Sequence, residues 1–250
     1  MRSLLAVLAL ALGPGAARAE PVENLLARAR TAEGKLESAR ALEFYQQADR
    51  AQPNDASILQ KIARQYSDLV LDQADDRERK RFAQAALDYA QRAVALNPRD
   101  PVNVLSLAVS HGKLAVYSDP KTKIAYSRLV KVEAERALAL DPNYAWAHHV
   151  LGRWHHEVAS LGLTSRWVVR LLYGGLPGAS PEQALVHLHR AVAIEPDELN
   201  HHLELGFALA VAQQPAAARQ VWAHGLQLPS RGKHDESAKQ RARAALAALD

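Results

Sequence analysis

The chain has 250 residues and no cysteine, and its charge is nearly balanced, with 31 lysine and arginine residues against 27 aspartate and glutamate residues. The absence of cysteine excludes disulfides, thiolate chemistry and lipid attachment to a cysteine. The mild positive charge, without basic clusters interleaved with aromatic residues, argues against nucleic acid as a partner.

The first nineteen residues have the layout of a secretory signal peptide. Arg2 supplies a positive region, residues 4–12 form an apolar run, and Ala17 and Ala19 provide a small-x-small cleavage site. The apolar run is about half the ~20 residues that a membrane span needs, and no later stretch approaches that length. We therefore expect a signal peptide over 1–19, a helical domain over 20–250, and an exported, periplasmic protein without a transmembrane span. The alternative is an uncleaved amphipathic anchor.

The rest of the chain predicts helices throughout, because apolar residues recur at helical spacing and β-branched residues are sparse. Asp100-Pro101 and Ser180-Pro181 each look like an N-cap followed by the first helical residue. The predicted helices cover residues 22–32, 36–51, 55–72, 77–96, 101–117, 121–140, 144–160, 164–173, 181–194, 198–212, 215–227 and 235–249.

One amphipathic phrase occurs four times, with an alanine five residues before a closing proline. The closing prolines are Pro53, Pro98, Pro142 and Pro196, and a weaker fifth copy ends at Pro229. Self-similarity of this kind predicts a solenoid in which each helix pair buries its apolar face against its neighbours. The expected fold is all-α: a right-handed α-solenoid of about four to five helix pairs with inserts between helices, and with residues 235–249 as a cap.

This phrase resembles the tetratricopeptide repeat. The leucine–glycine pair of that family's first helix is matched twice, and its small residue at the helix contact is matched three times. The matching positions are Leu151-Gly152, Leu205-Gly206, Ala41, Ala86 and Ala184. The third copy departs from the pattern, because Val130 stands where the small residue belongs.

The family period is about 34 residues, so the intervals of 45, 44 and 54 residues between the closing prolines require extra chain. We place this extra chain in inserts at 73–79, 117–123 and 161–180. The runs 121–128, 151–161, 166–173 and 177–185 resemble the regulator of microtubule dynamics family, over roughly residues 55–245. The resemblance implies the repeat fold and a non-enzymatic adaptor role. The export signal and the alanine- and arginine-rich, bacterial-looking composition set this chain apart, so microtubule binding is not carried over.

Histidine is the one residue type that suggests metal chemistry, with 11 copies in the chain. Metal ligands on one helix usually lie three or four residues apart, whereas His148 and His155 lie seven apart. We therefore expect no metal, no cofactor and no enzymatic activity. His148 and His155 are interpreted as replacements for core aromatic residues, and the other histidines as surface or groove residues.

The first helix of each unit lines the concave face in arrays of this kind, and the phase from each proline indicates its groove residues. These are Ser57, Gln60, Arg64 and Asp68, then Val102, Leu105, Val109 and Lys113, then Trp146, His149, Arg153 and His156, and finally Asn200, Leu203 and Phe207. Tryptophan and arginine are enriched at binding hot spots, and a guanidinium can hold a carboxylate with two hydrogen bonds. The alternative is that Trp146 packs inside the solenoid and Arg153 pairs with an internal acid.

These features predict a scaffold or adaptor that binds a protein or peptide partner in its concave groove. The alternative is a structural or assembly subunit that acts by self-association. The insert at 161–180 combines an apolar pattern with Arg166 and Arg170, and we expect it to cover one end of the groove. Contact with a membrane surface or a dimer partner is the other possibility for this insert. The glycine-rich segment 174–178 lacks the lysine of a phosphate-binding loop and is interpreted as a turn.

Overall fold

A computed structural model describes residues 20–249, apart from the side chains of Leu163, Thr164 and Arg166. The predicted signal peptide at 1–19 lies outside the described residues and stays a prediction. The described chain contains no strand, and its helices are α1 Val22–Gly34, α2 Ser38–Ala51, α3 Ala56–Leu69, α4 Asp76–Leu96, α5 Pro101–Val116, α6 Pro120–Leu140, α7 Ala145–Ala159, α8 Leu163–Tyr173, α9 Pro181–Ile194, α10 Leu199–Val211, α11 Pro215–Gln227 and α12 Asp235–Ala247. A short 3-10 helix, Val70–Asp72, follows α3. Every predicted helix is present.

Polar side chains begin these helices at the predicted places. The Asp100 carboxylate accepts hydrogen bonds from the backbone N–H groups of Val102 and Asn103, and Pro101 occupies the first turn of α5. The Ser180 hydroxyl accepts a hydrogen bond from the backbone N–H of Gln183 at the start of α9. These bonds satisfy amide groups that have no partner within their own helix, and they fix where each helix begins.

The helices form five pairs, α1/α2, α3/α4, α5/α6, α7/α9 and α10/α11, and α12 packs on α10 and α11 as a cap. The first helices of successive units, α3, α5, α7 and α10, contact one another in turn. Among the described helices, the second helices of successive units make no such contacts. We call α3, α5, α7 and α10 the inner helices, because they form the concave layer of the right-handed solenoid. The second helices of the five pairs, α2, α4, α6, α9 and α11, are the outer helices.

Two glycines on inner helices allow their partner helices to approach closely. A Cβ on Gly152 would lie 2.7 Å from Cγ of Leu188 and 3.1 Å from the backbone oxygen of Ala184. A Cβ on Gly206 would lie 2.6 Å from Cε2 of Trp222. The contacts α7/α9 and α10/α11 therefore depend on glycine, as the leucine–glycine pairs in the sequence indicate.

The extra residues of the second and third units are mostly helical. They lengthen the second helix of each unit, and few of them lie in loops. The outer helices α4 and α6 each contain 21 residues, whereas α2 and α9 each contain 14. Helix α4 begins at Asp76 and α6 begins at Pro120, each within a segment predicted as an insert. The carboxylates of Asp75 and Asp119 accept backbone hydrogen bonds there, so each helix starts about a turn before the predicted insert ends.

Apolar side chains are buried in four clusters that follow one another along the solenoid. The cluster around Leu25 and Ile62 joins α1, α2 and α3, and the cluster around Trp222 joins α9 to α12. Each cluster thus links neighbouring units, so the apolar packing stabilises the fold through nearest-neighbour contacts. Within residues 20–249, no helix is both long enough and apolar enough to cross a bilayer.

Candidate functional site

Several residues predicted for the groove are buried in the core instead. Leu105, His149 and Leu203 expose only 4%, 8% and 2% of their surface. Leu105 packs with Ala108 and Leu151 in the cluster between the third and fourth units. The inner helices contact one another along their flanks, and this contact covers positions that would otherwise face a partner. These three residues therefore stabilise the packing of the inner helices and are not available to contact a partner.

The other predicted groove residues keep some exposure, though they do not all lie together. Val109 and Arg153 are exposed, and Lys113, Trp146, His156, Asn200 and Phe207 are half-buried. Phe207 faces the outer helix α11 and the cap helix α12, because its ring centroid lies 5.2 Å from that of Trp222 and 5.5 Å from the Arg241 guanidinium. Phe207 is thus separated from the residues on α5 and α7.

Trp146 packs between α7 and α10 while remaining half-buried. Its ring centroid lies 5.1 Å from that of His149 and 4.8 Å from that of His201. The Nδ1 atoms of these two histidines lie 3.1 Å apart, within hydrogen-bond distance. Trp146 therefore packs against two histidine rings between α7 and α10, and only part of its surface is open to a partner.

Three histidines are more deeply buried than the sequence analysis predicts. His201 is fully buried, and His202 and His111 are buried as well, although they were expected at the surface or in the groove. Burial, together with the neighbouring His202, lowers the pKa of His201 to about 4. An uncharged imidazole can replace an aromatic ring in the core, which explains this placement.

His148 and His155 both contact His187 of α9. The Nδ1 atoms of His148 and His187 lie 2.9 Å apart, and the rings of His155 and His187 stack at 5.8 Å. In the part of the chain that the structure describes, no group of three or more histidine or acidic side chains is arranged to hold a metal ion. These histidines connect helices α7 and α9.

Four charged side chains, one from each inner helix, cross the concave surface. Asp68 on α3, Lys113 on α5, Arg153 on α7 and Glu204 on α10 interact electrostatically in that order. We call these four residues the concave charged line. Burial lowers the pKa of Lys113, although the Asp68 carboxylate opposes that shift. Burial also raises the pKa of Asp68, against the effect of nearby cations.

The two cations of this line differ in their partners. Nε of Arg153 lies 2.8 Å from a carboxylate oxygen of Glu157, one turn further along α7, and 46% of the Arg153 side chain is exposed. Arg153 thus forms its close ion pair with an exposed acid of its own helix, while the buried Glu204 of α10 attracts it over a longer distance. Among the described residues, Lys113 forms no hydrogen bond and no ion pair within 4.0 Å.

A segment near the end of the chain reaches back to the second unit. We call residues 228–235 the strap. Nζ of Lys233 lies 2.8 Å from a carboxylate oxygen of Asp72, and Nε2 of His234 donates a hydrogen bond to the backbone oxygen of Asp68 at 3.0 Å. The strap therefore connects the α11–α12 end of the solenoid to the carboxyl end of α3, beside the concave charged line.

Asp235 holds the strap in shape. Its carboxylate accepts hydrogen bonds from the backbone N–H groups of Arg231 and Gly232 and from the side-chain amide of Asn200. Asp235 is only 4% exposed, so these charge-assisted bonds are protected from water and comparatively strong. The conformation of the strap is thereby tied to the start of inner helix α10.

Helix α8 does not cover the groove, so the expectation for the 161–180 insert is wrong. Among the described helices, α8 packs only against the outer helix α6. Nε of Arg128 on α6 donates a hydrogen bond to the backbone oxygen of Gly175 at 3.1 Å, and its guanidinium also contacts the oxygen of Tyr173. Gly174 and Gly175, with φ of 74° and 83°, form the predicted turn and leave these oxygens facing Arg128.

The sequence indicated Asp68, Lys113 and Arg153 but missed three members of this region. Glu204 lies one turn after the predicted Asn200 on α10, so helical phase alone could have included it. Lys233 and His234 lie outside every repeat, and nothing in the local pattern indicates their contact with α3.

The comparisons with known proteins agree with this architecture. The family model described as regulator of microtubule dynamics protein 1-3 matches residues 25–250. Regulator of microtubule dynamics protein 1 from Bos taurus is 31% identical over 152 residues, which cover 60% of this chain and 48% of that protein. Regulator of microtubule dynamics protein 2 from Homo sapiens is 23% identical over 207 residues, which cover 82% of this chain and 50% of that protein. The chain thus spans about half the length of the curated relatives it matches.

A solved structure has the same fold. A thermophilic TPR (tetratricopeptide) protein from Thermus thermophilus matches with a TM-score of 0.66 at 20% identity, covering 91% of this chain and 100% of that chain. The five helix pairs are therefore tetratricopeptide-like units.

Proposed function

Because this chain belongs to the regulator of microtubule dynamics protein 1-3 family and has the tetratricopeptide fold, we propose that it is a non-enzymatic scaffold that binds an acidic protein segment across its inner helices. The observation that carries this proposal is the pair of cations Lys113 and Arg153, on adjacent inner helices of the concave layer.

Lys113 is the first anchor for such a segment. The Lys113 side chain is half-buried, and burial lowers the pKa of its ammonium group. Among the described residues it forms no ion pair within 4.0 Å, although the Asp68 carboxylate attracts it over a longer distance. A half-buried cation that touches no carboxylate carries part of a desolvation cost, which an incoming carboxylate would offset. A partner carboxylate next to Lys113 would also raise the pKa of this lysine again.

Arg153 is the second anchor. Its present partner Glu157 is an exposed acid one turn along the same helix, and pairs of this kind contribute only about 0.3–0.5 kcal/mol. The guanidinium can therefore exchange Glu157 for a partner carboxylate at little cost. Glu204, buried at 7% exposure, keeps the Arg153 guanidinium near the inner layer through its electrostatic attraction.

The test is crosslinking in cells followed by affinity recovery of the whole chain. The variant Lys113→Glu/Arg153→Glu reverses both cations of the concave charged line. The control Arg50→Glu/Lys80→Glu makes the same change in net charge at exposed positions of the outer helices α2 and α4. We expect a partner that the wild type and the control recover and the groove variant loses.

Two results would contradict the proposal. Equal recovery of the same partner by all three proteins would place its binding site elsewhere. Recovery of only further copies of this chain, by all three proteins, would favour self-association as the function. Circular dichroism of each variant verifies that the helices are intact.

A further inference from the structure

Helix α8 turns an apolar stripe toward solvent. Trp167 and Leu171 are each 64% exposed, Leu172 is 62% exposed and Val168 is 38% exposed. These residues occupy positions i, i+1, i+4 and i+5, so they share one face of the helix. Four large apolar side chains together on one exposed face indicate an interaction surface.

The carboxyl end of α8 is firmly anchored, so the stripe is not part of a loose loop. The N–H of Gly174 donates to the oxygen of Arg170, and the N–H of Gly175 donates to the oxygen of Val169. Arg128 of α6 binds the backbone oxygens of Tyr173 and Gly175 from outside the helix. Because α6 is the only described helix against which α8 packs, the opposite side of α8 stays free.

The segment that carries the stripe has a positive net charge. Residues 158–181 contain Arg166 and Arg170 and no acidic residue. The side chain of Arg170 is exposed on α8. A surface of this kind attracts anions and repels other cationic surfaces, including a second copy of itself.

The size of the stripe also disfavours a second copy of this chain. Its four side chains offer on the order of 400 Å² of exposed apolar surface. A stable protein interface buries about 800 Å² on each partner. An apolar stripe with tryptophan, on a helix whose charged residues are all basic and lie outside the stripe, is in contrast typical of helices that lie in the interface of a bilayer.

We propose that α8 docks the protein on an anionic lipid bilayer. Trp167, Leu171 and Leu172 enter the boundary between headgroups and acyl chains, and Arg170 contacts lipid phosphates. This contact uses the outer layer of the solenoid, so the inner helices stay available and the inference does not depend on the proposed groove function.

The test is co-sedimentation of the whole chain with vesicles of 70% phosphatidylcholine and 30% phosphatidylglycerol, and with vesicles of phosphatidylcholine alone. The variant Trp167→Ser/Leu171→Ser removes the centre of the stripe. The control Val132→Ser/Val186→Ser changes two outer-helix residues that are 53% and 59% exposed. All four positions are exposed, so the variants are expected to fold, which circular dichroism verifies.

We expect the wild type and the control to bind the anionic vesicles, and the stripe variant to bind them at least tenfold more weakly. Binding to phosphatidylcholine alone is expected to be weaker than binding to the mixed vesicles. The proposal is overturned if the stripe variant binds as well as the control or if the wild type does not bind. It is also overturned if the wild type forms a dimer in the absence of vesicles that the stripe variant loses, because the stripe would then contact a second copy.

Discussion

Nε2 of His234 lies 3.0 Å from the backbone oxygen of Asp68, although 166 residues separate them in the chain. The Lys233–Asp72 ion pair lies beside this hydrogen bond. The strap thereby joins the last part of the solenoid to its second unit, next to the concave charged line. A partner that binds across the inner helices, as proposed above, would therefore lie close to the strap.

Reversing the charge of Lys233 is expected to release the strap. In Lys233→Glu, two carboxylates would face each other at a partly exposed site, where an ion pair contributes about 0.2–1 kcal/mol. We expect the backbone amides of residues 228–234 to exchange hydrogen up to about five times faster. Asp72→Lys should have the same effect, and the double variant should restore slow exchange. Fast exchange in the double variant would show that the ion pair does not hold the strap.

Removing the Asp235 carboxylate is expected to loosen the strap from within. Asp235→Ala leaves the N–H groups of Arg231 and Gly232 without their acceptor, and each unsatisfied group costs about 1–3 kcal/mol where it is buried. Exchange at these two amides should increase, while Asp197→Ala, at an exposed position, should leave it unchanged. Hydrogen exchange followed by mass spectrometry measures both, and equal protection in the two variants would contradict the role given to Asp235.

The stability of the fold is expected to decrease as the pH falls from about 6.5 toward 4. Burial lowers the pKa of His201 from 6.5 to about 4, so the unfolded chain takes up a proton at a higher pH than the folded one. The stability from neutral His201 is therefore complete above pH 6.5 and decreases below it by up to about 1.4 kcal/mol per pH unit.

The variant His201→Asn isolates this contribution. We expect it to be less stable than the wild type at pH 7.5, because the contact with Trp146 is lost, but to lose less stability between pH 7.5 and pH 5. His189→Asn, at an exposed position, should reproduce the wild-type dependence. Thermal unfolding at both pH values gives the comparison, and identical pH dependence in all three proteins would contradict the assignment to His201.

Adding one methyl group at Gly206 is expected to destabilise the α10/α11 pair. The Cβ of Gly206→Ala would collide with Trp222, which is 1% exposed and donates a hydrogen bond from its indole to Leu203. Overpacking of this kind typically costs about 1–3 kcal/mol. Gly34→Ala has no atom within 4 Å of its new Cβ and should be neutral or slightly stabilising. Denaturant unfolding distinguishes the two variants, and similar midpoints would argue against a close helix contact at Gly206.

The helices could be predicted because their signals are local. Asp100 and Pro101 lie next to each other at the start of α5, and the apolar spacing between such caps continues without interruption. Lys113 and Arg153 could be assigned to the concave layer because each lies at a fixed helical phase from a preceding proline. Both the helix boundaries and the placement of these two cations thus follow from residues that are close together in the sequence.

The contacts between units could not be predicted in the same way. Helical phase placed His149 in the groove, but contact between α7 and α10 buries it. The strap depends on a contact between Lys233 and Asp72 that no local pattern encodes. The sequence showed that α8 has an apolar face, but Arg128 of α6 decides that α8 rests on the outer layer.

The strap also has a topological consequence. Each unit of an open solenoid contacts only its neighbours, so its units can open one after another from either end. Here the Lys233–Asp72 ion pair and the His234–Asp68 hydrogen bond connect the end of the chain to the second unit. Local unfolding at the start of α12 is therefore coupled to the carboxyl end of α3.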